Sequence, residues 1–141
     1  MSRVPLVVVD TNVVVAGLVT KNEASPVARI LDGMLSAAFP FVLSEQVLAE
    51  YRAVLTRPDL QKLHGMAVTE TDILLTDIAL HAIVLEPMKD APAAPERGDQ
   101  LLWNLLAARR DLHLVTGDKL LLRAPDMKGR IMTPADFAAA I

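Results

Sequence analysis

Four acidic residues stand where an ordinary surface acid is out of place. Asp10 directly follows the apolar run Leu6-Val7-Val8-Val9, and Asp118 follows Leu112-His113-Leu114-Val115 after Thr116-Gly117. A short β-branched run without polar alternation reads as a strand buried on both faces of a parallel sheet. Ligands of such sheets bind beyond the carboxyl ends of the strands, where both aspartates project. Glu50 lies in a helix predicted over Ser44 to Leu55, with Ser44 placed to cap it. At 100° per residue its apolar stripe is Val47, Leu48, Tyr51, Val54 and Leu55. Glu50 falls roughly 110° from the centre of that stripe, at the edge of the buried face. Asp99 opens a helix predicted over Gly98 to Arg110 and lies roughly 90° from the stripe Leu101, Leu102, Leu105 and Leu106. The first turn of a helix also favours an anion.

Singly, each acid has an ordinary use. Asp10 suits a turn or cap, Glu50 a solvated face, Asp99 a first helical turn and Asp118 a Thr-Gly-Asp-Lys turn. Jointly, two acids on strand ends and two on the inner edges of helices face one crevice. Two unit charges about 4 Å apart repel by ~4 kcal/mol at an effective dielectric of 20. Such a cluster is relieved either by protonating some members or by a divalent cation. All-oxygen ligation without thiolate favours Mg2+ or Mn2+ over zinc. A hard cation with open positions for water suits phosphodiester hydrolysis.

The elements that must position these acids alternate along the chain. Further short apolar runs at Phe39-Pro40-Phe41-Val42-Leu43, Ala82-Ile83-Val84-Leu85 and, more weakly, Arg130-Ile131-Met132-Thr133 read as strands. Helical patterns cover Ala24 to Met34, Asp59 to His64 and Thr69 to Leu80. Thr133 at N-cap, Pro134 at N1 and Asp136 at N3 start a last helix. Strands alternating with helices give an α/β fold with a parallel sheet. Pro87, Pro92 and Pro95 mark Pro87 to Arg97 as a surface loop.

Length and composition bound the function. The 141 residues make one domain, 1–141. Hydrophobic residues reach 52% without glycine, which excludes disorder and leaves apolar surface for a partner or a second copy. Aromatics at 4% exclude a stacking platform for single strands. With 14 basic and 17 acidic residues the net charge is −3, so nucleic acid must be met by a local basic patch. The lack of cysteine excludes disulfides and thiolate chemistry and suits a reducing cytoplasm. The longest charge-free stretch, Gly33 to Ser44, is 12 residues and holds Pro40, too short for a membrane span. The start, Met1-Ser2-Arg3-Val4-Pro5, lacks the apolar length of a secretory signal.

Val7-Val8-Val9-Asp10-Thr11-Asn12-Val13, Ser44 to Tyr51, Gly98-Asp99 before a leucine-rich helix, Leu114-Val115-Thr116-Gly117-Asp118 and the closing Thr133-Pro134-Ala135-Asp136-Phe137 occur in that order. Together they resemble the PIN-domain ribonucleases over nearly the whole chain. The resemblance is greatest to the VapC-like toxins of bacterial toxin–antitoxin pairs. It implies a three-layer α/β/α fold around a mostly parallel five-stranded sheet. It also implies an endoribonuclease dependent on Mg2+ or Mn2+, with RNA as substrate, an antitoxin protein as partner and a homodimeric state. Asp10, Glu50, Asp99 and Asp118 match the family's acidic positions. Thr11 and Asn12 match the motif beside the first acid, with Asn12 holding the loop or reaching a metal-bound water. Thr116 matches a position whose hydroxyl orients Asp118 or the metal's water shell. Relatives often carry Asp-Pro-x-Asp-Asp before the third acid. Here that stretch is Ala94-Pro95-Glu96-Arg97-Gly98-Asp99, so only Glu96 stands in for the further acids and a second metal site is short of ligands.

Arg52, Arg57, Arg97 and Lys119 are the cations nearest the acids in sequence, and with solvated charge as the default they are the best candidates to meet RNA. His64, His81 and His113 lack ligand spacing. Trp103 falls roughly 130° from its helix's leucine stripe, which points it to a dimer face or a neighbouring helix. Two alternatives remain. A haloacid-dehalogenase-type phosphatase also has an aspartate after its first strand, but it needs an acid where Asn12 stands, as proton donor to the leaving group. A non-catalytic PIN-like module that binds RNA or protein has no need of all four acids.

Overall fold

The computed structural model describes residues 4–141, so the reading of Met1-Ser2-Arg3 as no signal lies outside the described residues. Five short strands are all parallel. They are β1 (Leu6–Val9), β2 (Val42–Leu43), β3 (Ile83–Val84), β4 (Leu112–Val115) and β5 (Ile131–Met132). One ladder runs β1-β4-β5 and the other β2-β3. A single bridge between Val7 and Phe41 joins them, giving the order 3-2-1-4-5. Val9 pairs with Val115, so the two strands that precede acids end side by side.

Helices connect and cover the strands: α1 (Thr11–Val19), α2 (Pro26–Ser36), α3 (Glu45–Leu55), α4 (Pro58–His64), α5 (Val68–His81), α6 (Gln100–Ala108), α7 (Lys119–Leu122) and α8 (Pro134–Ala140). Ser44 caps α3 by accepting from the Val47 amide at 3.1 Å, and Thr133 caps α8 through the Asp136 amide at 3.1 Å. A 3-10 turn, Arg97–Asp99, leads into α6. The Pro87–Arg97 stretch is a loop stapled by Gln100, whose side chain takes the Ala94 amide at 2.9 Å and donates to the Pro92 carbonyl at 3.0 Å. None of these helices is long and apolar enough to cross a membrane.

One sequence expectation is corrected and another is narrowed. The run at 82–85 is not buried on both faces, because β3 is an edge strand and Val84 is 71% exposed. Of the two places open to Trp103, it takes the neighbouring helical turn, Pro125–Met127, and not a dimer face. It is fully buried, and its indole N–H donates to Asp126 Oδ2 at 3.0 Å. Leu102, Trp103, Leu105 and Leu106 are all buried, so α6 is covered over more of its circumference than one stripe.

The Arg130 guanidinium ties the C-terminal end of α6 to the start of β4. It donates to the carbonyls of Leu106 at 2.6 Å, Arg109 at 2.7 Å and Leu112 at 2.9 Å. Helix C-termini carry unsatisfied carbonyls, and a cation satisfies them well. Arg130→Met keeps the stem and loses the donors. We expect it to destabilise the chain by roughly 2–3 kcal/mol, or about 5–10 °C in melting temperature for a chain of this length. A thermal melt within 1 °C of the parent contradicts this role.

Candidate active site

The site is built at the carboxyl ends of β1 and β4. Asp10 leaves β1 and is 5% exposed. Its backbone amide bonds the Val115 carbonyl at 2.9 Å, continuing the ladder one residue past the strand. The Thr116 hydroxyl donates to Asp10 Oδ2 at 2.7 Å and accepts from the Asp118 amide at 3.1 Å. Thr116 therefore orients the first acid, not the carboxylate of Asp118. Asp118 itself caps α7, with Oδ1 accepting from the Leu120 amide at 2.9 Å. Its ordinary use as a cap and its place in the cluster coexist.

Glu50 approaches from α3. The Thr11 hydroxyl donates to Glu50 Oε2 at 2.7 Å, so the residue after the first acid orients the second. Tyr51, the next residue of α3, is fully buried and donates its phenol to the Val9 carbonyl. Burial, with the charges of Asp10 and Glu50 adding to it, holds that phenol protonated far above its usual range. Asp99 stands where the 3-10 turn enters α6 and is half-buried. Its Oδ2 is buried without a hydrogen-bond partner.

Asp99 is electrostatically coupled to the other three acids. Asp99 has its pKa pushed up to about 6, first by burial, then by Asp10, Asp118, Glu96 and Glu50. Asp10 is raised by burial and opposed by the Thr116 hydrogen bond. Glu50 raises it further, while the Thr11 and Asn12 amides lower it without closing a full capping bond. Asp10, Asp99 and Asp118 each immediately precede a helix, where the N-terminal end favours an anion. Asn12 is exposed.

The cations divide. Arg52 lies on the far side of α3 from Glu50 and forks onto Asp72 of α5, at 2.8 and 3.3 Å. That pair rims an apolar groove between α3 and α5 floored by Leu48, Leu75 and Ala79. Arg57, Arg97 and Lys119 are exposed, the last two beside Asp99 and Asp118. His64 bridges the Leu55 carbonyl at 2.8 Å and the Met66 amide at 3.0 Å, a structural tie.

The PIN-domain sequence profile matches residues 6–120, which include all four acids. This chain belongs to the PIN-domain family. No curated protein matches it in sequence. The PIN domain is a three-layer α/β/α, nuclease-like fold, as the strand order and site describe. Nucleases of this domain generally use divalent metal ions.

The residues fit such an ion by their chemistry. The donors are hard carboxylate oxygens, and Asp99 Oδ2 is a buried acceptor with nothing to accept from. Among the described residues, no three acidic or histidine side chains are drawn together tightly enough to enclose a metal.

Proposed function

We propose that the protein is an Mg2+- or Mn2+-dependent endoribonuclease, the toxin of a toxin–antitoxin pair, acting in the cytoplasm. The observation that carries the metal reading is the unpartnered Asp99 oxygen, beside which Asp10, Asp118 and Glu50 all act to raise the Asp99 pKa. A bound cation would lower the pKa of a water and offset charge on the scissile phosphate. Asp10, Glu50, Asp99 and Asp118 would hold it. Thr116 fixes Asp10 Oδ2 and Thr11 fixes Glu50 Oε2, so two carboxylates present set oxygens to the crevice. In the metal-free protein, Asp99 holds its proton up to about pH 6. Arg57, Arg97 and Lys119 are the exposed cations left to meet an RNA backbone, since Arg52 is engaged by Asp72. The antitoxin partner rests on the family resemblance. A homodimer draws support from exposed Leu63, Ile73, Leu80 and Val84, although Trp103 no longer argues for it.

Incubation with Mn2+ and an internally labelled oligoribonucleotide, beside a small phosphomonoester, tests the reaction class. We expect new internal RNA ends and no phosphate release. Phosphate release without RNA cleavage would indicate the phosphatase, and RNA binding without either reaction would indicate the non-catalytic module.

A further inference from the structure

We propose that Tyr51 is a positioning residue whose buried hydroxyl sets the spacing between Asp10 and Glu50. The inference rests on the nuclease reading for its consequence, but its geometry stands apart from it. The Asp10 amide faces β4, where it bonds Val115. Amide and carbonyl directions alternate along a strand, so Val9 faces the opposite side, as does Val7, which bridges Phe41. On that side β1 meets β2 through this one bridge, and the ladder goes no further. The carbonyl of Val9 therefore reaches the acid-bearing end of β1 without a continuing strand partner. The Tyr51 phenol supplies its donor. A buried carbonyl needs such a partner.

The consequence follows from what stands beside each end of this hydrogen bond. Val9 immediately precedes Asp10, and Tyr51 immediately follows Glu50. Glu50 in turn takes the hydroxyl of Thr11 at 2.7 Å. Two consecutive residues of α3 thus grip the residues on either side of Asp10, while Val115 and Thr116 hold it from β4. Packing alone does not require the phenol oxygen, because a phenyl ring fills nearly the same volume. Without that oxygen, α3 is tied to the end of β1 by the Thr11–Glu50 hydrogen bond, whose two side chains can shift together. A misplacement near 1 Å in a catalytic array is enough to cost about 10²-fold in rate.

Tyr51→Phe tests this, with Ile78→Val as a core substitution on α5, a helix that carries none of the four acids. Ile78 is fully buried in α5. Two readouts are taken on the full chain. The first is steady-state RNA cleavage with Mn2+. We expect kcat to fall about 10–100-fold in Tyr51→Phe with KM held within about twofold, and Ile78→Val to cleave as the parent does. The second is hydrogen exchange at the amides of Asp10, Val13 and Val14, which bond the Val115 and Asp10 carbonyls. We expect exchange there to quicken about tenfold more in Tyr51→Phe than in Ile78→Val, as local opening and not global loss of stability. Exchange no faster than in Ile78→Val, or an unchanged kcat in an active parent, overturns the proposal. If the parent cleaves no RNA, the nuclease reading alone falls, and the exchange comparison still decides whether Tyr51 holds Asp10.

Discussion

Asp10→Asn is expected to reduce RNA cleavage by about 10²–10³-fold, the usual loss when one electrostatic element of an active site is removed. The same substitution should raise the melting temperature of the metal-free protein. Both effects come from one cause. Asp10 is almost wholly buried, and its pKa is raised by that burial and by Glu50. Near neutral pH its charge opposes folding unless a cation compensates it. The asparagine is nearly the same shape, and its amide oxygen still accepts from Thr116. It removes the charge that burial and Glu50 disfavour, together with the charge a metal needs. Activity assays and thermal melts in chelator measure the two effects. Activity within threefold of the parent would remove Asp10 from the site, and a lower melting temperature would show that its charge is compensated within the fold.

The second large effect is a metal-induced rise in melting temperature that is greater at pH 7.5 than at pH 5. Asp99 sets the window. Its pKa in the folded protein is about 6, above the ordinary carboxylate value of 3.8. A group raised in this way holds its proton more tightly folded than unfolded. Its contribution is fully present below about pH 4 and is lost as pH rises through 6. After discounting for the solvent that reaches this half-buried group, the loss is on the order of 1 kcal/mol, or about 3 °C. Divalent metal binds the ionised cluster, so its stabilisation grows over the same rise in pH. Differential scanning fluorimetry with and without Mn2+ at the two pH values reads the difference. Asp99→Asn and Glu50→Gln should shrink it. Glu70→Gln should leave it alone, because Glu70 caps α5 through the Ala67 amide and glutamine does the same. An equal shift at both pH values contradicts a shared site.

Much of the scaffold was legible in the sequence because burial leaves a periodic mark. The runs ending at Val9 and Val115 became β1 and β4, and Ser44 and Thr133 became caps, since each signal is local. The family motifs likewise pointed to the four acids, and in the structure Asp10, Asp118 and Glu50 all raise the pKa of Asp99. α1 was not legible. Thr11-Asn12-Val13-Val14-Val15 is a poor helix by propensity, but the penalties are tenths of a kcal/mol per residue. Burial of Val13 and Val14 outweighs them. The exposure of β3 was hidden too, because an edge strand and a central strand share one composition here. Stripe arithmetic left Trp103 two places, a dimer face or a neighbouring helix, and it takes the second, against Asp126 in the 3-10 turn Pro125–Met127. The hydrogen bonds of Thr11, Tyr51 and Thr116 join residues 39, 42 and 106 apart. No periodicity encodes such pairs, and Tyr51 reads as one more member of an apolar stripe.

The central claim is that these four acids hold a divalent cation to cleave RNA. The most direct measurement follows one labelled RNA through three conditions: purified protein with Mn2+, the same sample with excess chelator, and the sample after Mn2+ is restored. Asp10→Asn, purified in parallel, controls for a contaminating ribonuclease. Internal cleavage should stop with chelator, return with Mn2+ and be absent from Asp10→Asn. Cleavage that persists in chelator, or that Asp10→Asn performs as well as the parent, contradicts the claim.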